Sequence, residues 1–273
     1  MSTEPEPATS FGVASTPRSL GDGTYTTTLR PEWAVGSKPH GGFLLALLAR
    51  TALALLGEKG DRSAEPLTVS AQFLRAPEFG PVLLRTDVRK IGRQAAVIAV
   101  LLEQRGRSCV EGVVTTGRLP TQRPEWSDVP AMPVAPPADA VDFSAHKMLA
   151  VSNLTTGCEI YLDRAGAGFL ERKTDQPPRL RLWTRPRDEQ PDPLFALIAG
   201  DISVPVTFNL GRIGWSPTLQ MTALLRARPV PGWLRVEVSA RSVHGPWFDE
   251  DATVVDSAGQ LVCQARQLAL TSS

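Results

Sequence analysis

The sequence predicts an α+β fold made of two tandem units, each a central helix wrapped by an antiparallel β-sheet. Three observations support this prediction: an apolar helical stretch near the start, a series of short strands joined by turns, and the recurrence of both later in the chain. At 273 residues the chain has room for two domains of ordinary size.

The helix predicted over residues 42–56 is apolar on almost every face. Alanine and leucine, which are the strongest helix formers, make up most of the stretch, and Arg50 and Thr51 are its only polar residues. Such a helix must be buried in protein or lie in a membrane. Its length of about 15 residues falls short of the roughly 20 needed to cross a bilayer, so we predict a buried core helix and no membrane span.

Strand-forming segments lie on both sides of this helix. Short turns containing Gly92 and Gly106 join the last three strands of the first unit, which predicts an antiparallel meander. The strands predicted for this unit cover residues 25–29, 67–74, 82–91, 95–103 and 108–116.

The same order of elements recurs in the second half of the chain. Three separated segments match in order, and such self-similarity indicates that one supersecondary unit occurs twice. The matched segments are 44–51 with 194–201 (194 − 44 = 150), 73–76 with 224–227 (224 − 73 = 151), and the turn at Gly106 with the turn at Gly259 (259 − 106 = 153). The strands predicted for the second unit cover residues 158–162, 179–185, 218–226, 233–243, 252–256 and 261–271.

Changes in composition predict the domain boundaries. Residues 1–20 are a polar tail that we expect to be disordered, residues 21–118 form the first unit, and residues 141–273 form the second. Residues 119–140 are rich in proline, alanine and acids, which is typical of an extended linker. An excursion within one domain stays open as the alternative.

Charge and cysteine content exclude several classes of protein. With a formal net charge of +1, nothing indicates a nucleic-acid partner, which would require a clustered basic face. Cys109, Cys158 and Cys263 are too widely spaced for a zinc pattern or a disulfide framework, and the histidines lack metal-ligand spacing, so no metal or other cofactor is expected. These features and an N-terminus without signal-peptide composition predict a cytoplasmic protein.

Two sets of residues resemble a known family. The run His40-Gly41-Gly42 before the central helix resembles the hotdog thioesterase superfamily. The second half is similar to the C-terminal half of double-hotdog acyl-CoA thioesterases, the bacterial type II enzymes and their actinobacterial relatives. Those enzymes use an Asp near the second central helix, a Thr at the start of the following strand and a Gln on the last strand. The matching residues are Asp201, Thr218 and Gln267, and the resemblance covers residues 24–118 and 141–271.

The resemblance implies a double-hotdog fold and hydrolysis of a fatty acyl-CoA. A carboxylate, a hydroxyl and an amide can together hold one water, with Asp201 as general base or orienting group. Backbone N–H groups at Gly41 and Gly42 would then stabilise the charge that develops on the thioester oxygen. His40 could assist as a donor, or it could make only a structural contact. A hotdog sheet often pairs with another, so a homodimer or larger homo-oligomer is expected.

The residues can also be interpreted without the resemblance. Asp201 interrupts an apolar run, where a carboxylate is costly unless it is hydrogen-bonded, although an exposed helix-end Asp is the common alternative. Pro205 requires the helix to end by about Val204, which would place Asp201 in its last turns. Thr218 and Gln267 taken singly are ordinary strand residues. The repeat assigns Thr51, Leu67 and Val114 to the corresponding positions of the first half, so one catalytic set per chain is expected.

Other chemistries lack support in the sequence. There is no Gly-x-Ser-x-Gly, no phosphate-binding glycine pattern after a strand, and no His close behind Asp201 of the kind that hotdog hydratases use. The alternative function is a non-catalytic acyl-CoA or acyl-group binding protein of the same fold. One further basic cluster could attract the phosphates of coenzyme A or could be a solvated strand face. Its members are Arg172, Lys173, Arg179, Arg181, Arg185 and Arg187.

Overall fold

One continuous antiparallel sheet of 14 strands forms most of the molecule. The structure, a computed structural model, describes residues 10–271. The first half contains β1 (Arg18–Gly21), β2 (Thr24–Leu29), β3 (Ala34–Val35), β4 (Lys38–Pro39), β5 (Glu65–Phe73), β6 (Gly80–Ile91), β7 (Ala96–Gln104) and β8 (Arg107–Gly117). The second half contains β9 (Val141–Asp142), β10 (Cys158–Leu162), β11 (Arg179–Pro186), β12 (Thr218–Leu225), β13 (Leu234–Ser239), β14 (Val243–His244), β15 (Trp247–Val255) and β16 (Leu261–Leu270). The helices are α1 (Phe11–Ala14), α2 (Gly41–Glu58) and α3 (Pro193–Ala199).

The central helix predicted from composition is confirmed as α2, which extends slightly beyond the predicted ends. Among the described residues it is the one helix long and apolar enough to cross a bilayer, but 67% of it is buried inside the protein. It packs against α3 and against strands β5 to β8 of the sheet. Burying its leucines stabilises the fold by roughly 1.5–3 kcal/mol for each fully buried side chain.

The two halves repeat the same strand order, as the sequence offsets predict. Around α2 the order is β2, β6, β7, β8, β5, and around α3 it is β11, β13, β15, β16, β12. In each half the helix follows the first strand of this series along the chain. Each half is therefore a central helix with its own antiparallel meander.

The halves join through the pairing of β5 with β12, so their sheets merge into one. Ser70 pairs with Thr222 in this ladder, and their hydroxyls are hydrogen-bonded at 2.8 Å. Because equivalent strands pair antiparallel here, the two halves are related by a pseudo-two-fold axis close to this pair. The arrangement turns the ends of α2 and α3 toward each other.

The prediction of a disordered tail is wrong for residues 10–20, which contain α1 and most of β1. Residues 1–9 lie outside the described part of the chain. The ring of Phe11, only 2% exposed, packs against Trp33, Phe43 and Phe195. Ser10 caps the short helix by accepting a hydrogen bond from the Val13 N–H. One aromatic side chain anchored between both central helices is what orders this segment.

Residues 118–140, all of which the structure describes, contain no helix or strand. The indole N–H of Trp183 donates to the Pro133 carbonyl at 2.8 Å, and the buried Arg235 donates to the Met132 carbonyl at 2.9 Å. These bonds attach the segment to the sheet of the second half. We keep it as the proposed connection between the two units.

Most predicted strands agree with the structure within two residues at each end, but two differ by more, and the short strands β1, β3, β4 and β9 were not predicted. The strand predicted over 233–243 is divided into β13 and β14, and β15 begins at Trp247 rather than at Ala252. The acidic run from Asp249 to Asp251 concealed the start of β15, because charged residues are uncommon in strands. These residues continue the ladder with β16, and Glu250 faces the interior.

Candidate active site

Asp201 lies just beyond the end of α3, so the prediction that it occupies the last turns of this helix is wrong. The helix stops at Ala199 with Gly200 as its cap, and the Asp201 N–H bonds the Ile198 carbonyl at 3.0 Å. A Cβ on Gly200 would lie 3.1 Å from the Cβ of Ala265, so β16 crowds the chain at this point. This bond joins residues three apart, as in a 3-10 turn, instead of the four of an α-helix, and it ends the helix. It also turns the Asp201 side chain inward, where 10% of its surface is exposed.

The Asp201 carboxylate meets the first turn of α2 from the other half. Its Oδ2 accepts a hydrogen bond from the Gly42 N–H at 2.7 Å. A Cβ on Gly41 would stand 2.7 Å from that oxygen, and a Cβ on Gly42 would stand 2.7 Å from the Leu197 carbonyl oxygen. Glycine is needed at both positions because any side chain would separate the helix from the carboxylate.

His40 caps α2 and contacts Asp201 with its other ring nitrogen. Nδ1 accepts from the Phe43 N–H at 3.3 Å, while Nε2 lies 2.9 Å from the Asp201 carbonyl oxygen and 3.4 Å from Asp201 Oδ2. Because Nδ1 accepts from the backbone, Nε2 is the ring nitrogen placed to donate to Asp201. His40 is therefore both a structural cap and a donor at this site.

Thr218 and Gln267 reach the same place from two neighbouring strands. The Thr218 hydroxyl donates to Gln267 Oε1, and Gln267 Nε2 lies 3.4 Å from Asp201 Oδ1. If the side chains of β12 alternated strictly between the two faces, the buried Met221 would require Thr218 to face outward. A β-bulge between Thr218 and Gln220 reverses the direction of the Thr218 side chain, so that it faces the site. The structure thus brings together all three residues that the resemblance named.

Glu250 is a fourth polar residue of the site, and the sequence analysis missed it. It is 4% exposed; its Oε2 accepts from Gln267 Nε2 at 2.7 Å and its Oε1 accepts from the Val206 N–H at 2.8 Å. The available signal was alternation, because Phe248, Glu250 and Ala252 occupy one face of β15. Its two acidic neighbours obscured that signal.

Two buried carboxyl groups therefore share one amide. Burial raises the pKa of Asp201, while His40, the Gly42 N–H and the Gln267 amide act in the opposite direction. Burial raises the pKa of Glu250 to about 8, and the charge of Asp201 adds to this rise. At neutral pH Glu250 is mostly protonated, whereas the contacts with His40, the Gly42 N–H and the Gln267 amide favour the ionised form of Asp201.

The basic cluster of the second half is paired on the surface. Arg181 bonds Glu237 at 2.8 Å, Arg185 bonds Glu159 at 3.0 Å, and Lys173 bonds Glu171 at 2.8 Å. These partners neutralise three of its six cations. The geometry favours the solvated strand face over a phosphate site.

Comparison with known proteins identifies the family. A profile of the acyl-CoA thioesterase N-terminal domain matches residues 29–117, and a profile of the acyl-CoA thioesterase C-terminal domain matches residues 127–271. The chain belongs to the acyl-CoA thioesterase family. An uncharacterized protein of Mycobacterium tuberculosis is 41% identical in an alignment of 261 positions that covers 89% of each chain.

Solved structures of similar proteins share the fold of this family member. A structure assigned as a thioesterase II from Thermobifida fusca aligns with a TM-score of 0.86 and 28% identity, covering 98% of this chain and 99% of that one. A hotdog protein of unknown function from Alicyclobacillus acidocaldarius aligns with a TM-score of 0.79 and 22% identity, covering 96% and 98%. An acyl-CoA thioesterase II from Mycobacterium marinum gives 0.71 and 15%, also covering 96% and 98%. The predicted double-hotdog fold is confirmed.

Proposed function

We propose that this member of the family hydrolyses a fatty acyl-CoA to the free acid and coenzyme A, using a water held by Asp201, Thr218 and Gln267. The observation that carries the proposal is their convergence. Side chains from a helix end and two strands form one hydrogen-bonded group against the start of α2. Burying polar groups is costly, so a connected set of this kind in an apolar interior favours a chemical role.

The hydrogen bonds within the group leave specific lone pairs for a water. Asp201 Oδ2 is occupied by the Gly42 N–H, whereas Oδ1 has only the 3.4 Å contact with Gln267. The Thr218 hydroxyl gives its hydrogen to Gln267, so its oxygen can accept. A water that donates one hydrogen to Asp201 Oδ1 and the other to Thr218 Oγ1 would aim a lone pair at the thioester carbon.

Hydrolysis then follows as general base catalysis. Asp201 takes a proton as the water oxygen bonds to the carbonyl carbon, and the resulting oxyanion collapses with breakage of the carbon–sulfur bond. Coenzyme A leaves as the thiolate and later takes up the proton. The first three N–H groups of a helix have no intrahelical acceptor. In α2 those of Gly42 and Phe43 are occupied, so the Gly41 N–H is the donor that we assign to the oxyanion.

The acyl-chain site and the assembly of the protein are further parts of this proposal. The acyl chain would lie in an apolar tunnel beginning beside Phe73 and Leu197, which border the helix start. A homodimer or larger assembly in the cytoplasm also stays a prediction. Half-exposed apolar residues on the outer face of the sheet, including Val113 and Leu268, are consistent with such pairing.

A thiol-release assay with acyl-CoA substrates of several chain lengths tests the function. We expect turnover by the native protein, and a decrease in kcat of about 10²–10⁴ in Asp201→Asn, the usual contribution of a general base. Asp192→Asn is the matched control. Asp192 is the acid at the start of α3, and asparagine caps a helix equally well, so kcat should not change.

The assay can contradict the proposed mechanism or favour the alternative function. Native turnover in Asp201→Asn would eliminate the mechanism. Acyl-CoA binding by the native protein without thiol release would favour the non-catalytic acyl-binding function.

A further inference from the structure

We propose that Glu250 is a positioning residue of the hydrolytic site, which acts by holding the Gln267 amide in a single orientation. The inference rests on the proposed function and deepens it. Glu250 and Gln267 are directly paired in the ladder between β15 and β16, and both side chains face the interior. Glu250 thus lies behind the catalytic group, where it contacts Gln267 and stays clear of the water that we place between Asp201 and Thr218.

Both oxygens of Glu250 accept hydrogen bonds from N–H donors. Gln267 Nε2 lies 2.7 Å from Oε2, and the Val206 N–H lies 2.8 Å from Oε1. Val206 begins the 3-10 turn Val206–Leu210, which follows Pro205 in the chain. The carboxyl group is therefore held by a backbone donor on one side and fixes a side-chain amide on the other.

The orientation of that amide matters because its two ends have opposite roles. Gln267 presents Nε2 toward Asp201 and Oε1 toward the Thr218 hydroxyl. If the amide rotated by half a turn, its oxygen would face the Asp201 carboxylate and its N–H₂ would face Thr218. Glu250 opposes this rotation through Oε2, which accepts from Nε2 and so carries no hydrogen. Rotation would replace that hydrogen bond by an oxygen–oxygen contact unless the acid hydrogen first moved from Oε1 to Oε2.

Charges around Glu250 favour the same arrangement. Asp201 approaches from the end of α3, Asp249 adjoins on β15, and His40 stands on the far side of Asp201. Burial and these acids raise the pKa of Glu250 to about 8, so the group is mostly neutral at pH 7. In the neutral form the acid hydrogen lies on Oε1, whose lone pair still accepts from the Val206 N–H, and Oε2 is the carbonyl oxygen that accepts from Gln267. The neutral group adds no second negative charge beside Asp201.

Glu250→Gln is the sharpest variant because it keeps the shape and removes one acceptor. An amide at position 250 has one acceptor end for two N–H donors, so either Val206 or Gln267 loses its partner. We expect kcat to fall about 10- to 100-fold with KM nearly unchanged, within the range of coupling between contacting residues. Asp251→Asn is the control: it is the next residue on β15, faces outward and pairs with Arg266 at 2.6 Å, and should leave kcat unchanged.

A double-mutant cycle shows whether Glu250 acts through Gln267. In a Gln267→Ala background, Glu250→Gln should change kcat by less than about twofold, because the amide it positions is gone. A merely structural role would give additive losses in the cycle. Additive losses, or native kcat in folded Glu250→Gln, would overturn the proposal.

A measurement on the native protein separates this inference from the proposed function and does not depend on any variant folding. With glutamine side chains labelled with ¹⁵N, the Gln267 amide signal should shift with pH along the titration of Glu250, near pH 8. The Gln220 amide, which bonds Thr222 on the other face of the sheet, should not shift with it. An unmoved Gln267 signal would overturn the inference even in an active enzyme. A coupled signal in a protein that releases no thiol would uphold the contact and refute the hydrolysis.

Discussion

The two halves of the molecule share one fold and differ sharply at the positions of the site. In the ladders, Gln267 pairs with Met221 and Glu250, while Val114 pairs with Val69 and Ile98. At the bulge of the second half Thr218 pairs with Ala269, and at the corresponding bulge of the first half Pro66 pairs with Thr116. Pro66 is therefore the counterpart of Thr218. The sequence comparison, which gave Leu67 as that counterpart, was wrong by one residue. The residues of the second-half site and their first-half counterparts are Asp201 and Thr51, Thr218 and Pro66, Glu250 and Ile98, Gln267 and Val114.

The helix ends explain why one half alone carries the acid. Gly200 ends α3 and directs Asp201 toward the start of α2, whereas its counterpart Arg50 lies within α2, which continues to Glu58. Thr51 is consequently inside a helix, and its hydroxyl bonds the Leu47 carbonyl at 2.8 Å. A pseudo-symmetric fold offers two places where a helix end meets a helix start, and the length of the first helix decides which can hold a reactive carboxylate.

Among the comparisons of the two halves, the largest effect should come from a side chain that pushes the start of α2 away from Asp201. Gly42→Ala would place a Cβ 2.7 Å from the Leu197 carbonyl oxygen and 3.0 Å from the Asp201 Cβ. We expect kcat to fall by about 10² or more, as displacements of about 1 Å commonly cause. Thiol release and thermal unfolding measure the effect.

Gly57→Ala is the matched control on the same helix. Its Cβ would meet only Arg62 Cγ at 4.0 Å, so we expect unchanged kcat and a gain of about 0.5–1 kcal/mol in the free energy of unfolding. Native kcat in Gly42→Ala would show that the close approach is not needed.

Exchanging residues between the halves should have a smaller and asymmetric effect. Gln267→Val removes the amide that links Thr218, Asp201 and Glu250, so kcat should fall by at least about tenfold. Val114→Gln should leave kcat unchanged but lower the free energy of unfolding by about 1–3 kcal/mol, because it buries an amide between Val69 and Ile98 without partners. Equal kinetic losses in both variants would contradict the assignment of one site per chain.

The pH dependence of stability should differ between Glu250 and its apolar counterpart. The folded protein binds the Glu250 proton with a pKa of about 8, against an ordinary 4.5. Unfolding therefore releases a proton between these values, so stability falls as the pH rises through this range and changes no further above it. Glu250→Gln should lose this dependence. The Tm of the variant minus the Tm of the native protein should therefore increase by several degrees from pH 5 to pH 9, since 1 kcal/mol in the free energy of unfolding shifts Tm by about 2–4 °C.

Asp251→Asn, the outward-facing neighbour, should retain the native pH dependence. Parallel Tm curves for the native protein and Glu250→Gln would show that Glu250 is ionised in the folded state across this range.

The smallest effect is expected where the first half meets the start of α3. Asp192 caps α3 there, and Arg50 lies 3.8 Å from its carboxylate and beneath the Phe11 ring. Because both side chains are partly exposed, their coupling in a cycle of Arg50→Met and Asp192→Asn should be below about 1 kcal/mol, with kcat within about twofold of the native value. A coupling of several kcal/mol, or a loss of kcat, would mean that this end of the pseudo-symmetric pair also serves the site.

The sequence by itself determined the elements and their repetition. Ala and Leu in residues 42–56 specify α2 through local propensity, and alternating apolar residues specify most strands. The repeat is readable because matched segments keep nearly constant offsets. Asp201, Thr218 and Gln267 could be named because they fall at fixed distances from these elements, although the resemblance to a family was needed to select them.

Only the tertiary structure decided how these residues meet. The Gly42 N–H and the Asp201 carboxylate are 159 positions apart, and no local pattern indicates that one would bond the other. The bulge that turns Thr218 inward and the register that pairs Glu250 with Gln267 likewise depend on the neighbouring strand. Propensity and periodicity describe how a residue relates to its chain neighbours, whereas hydrogen bonds within the site depend on which distant segments are packed together.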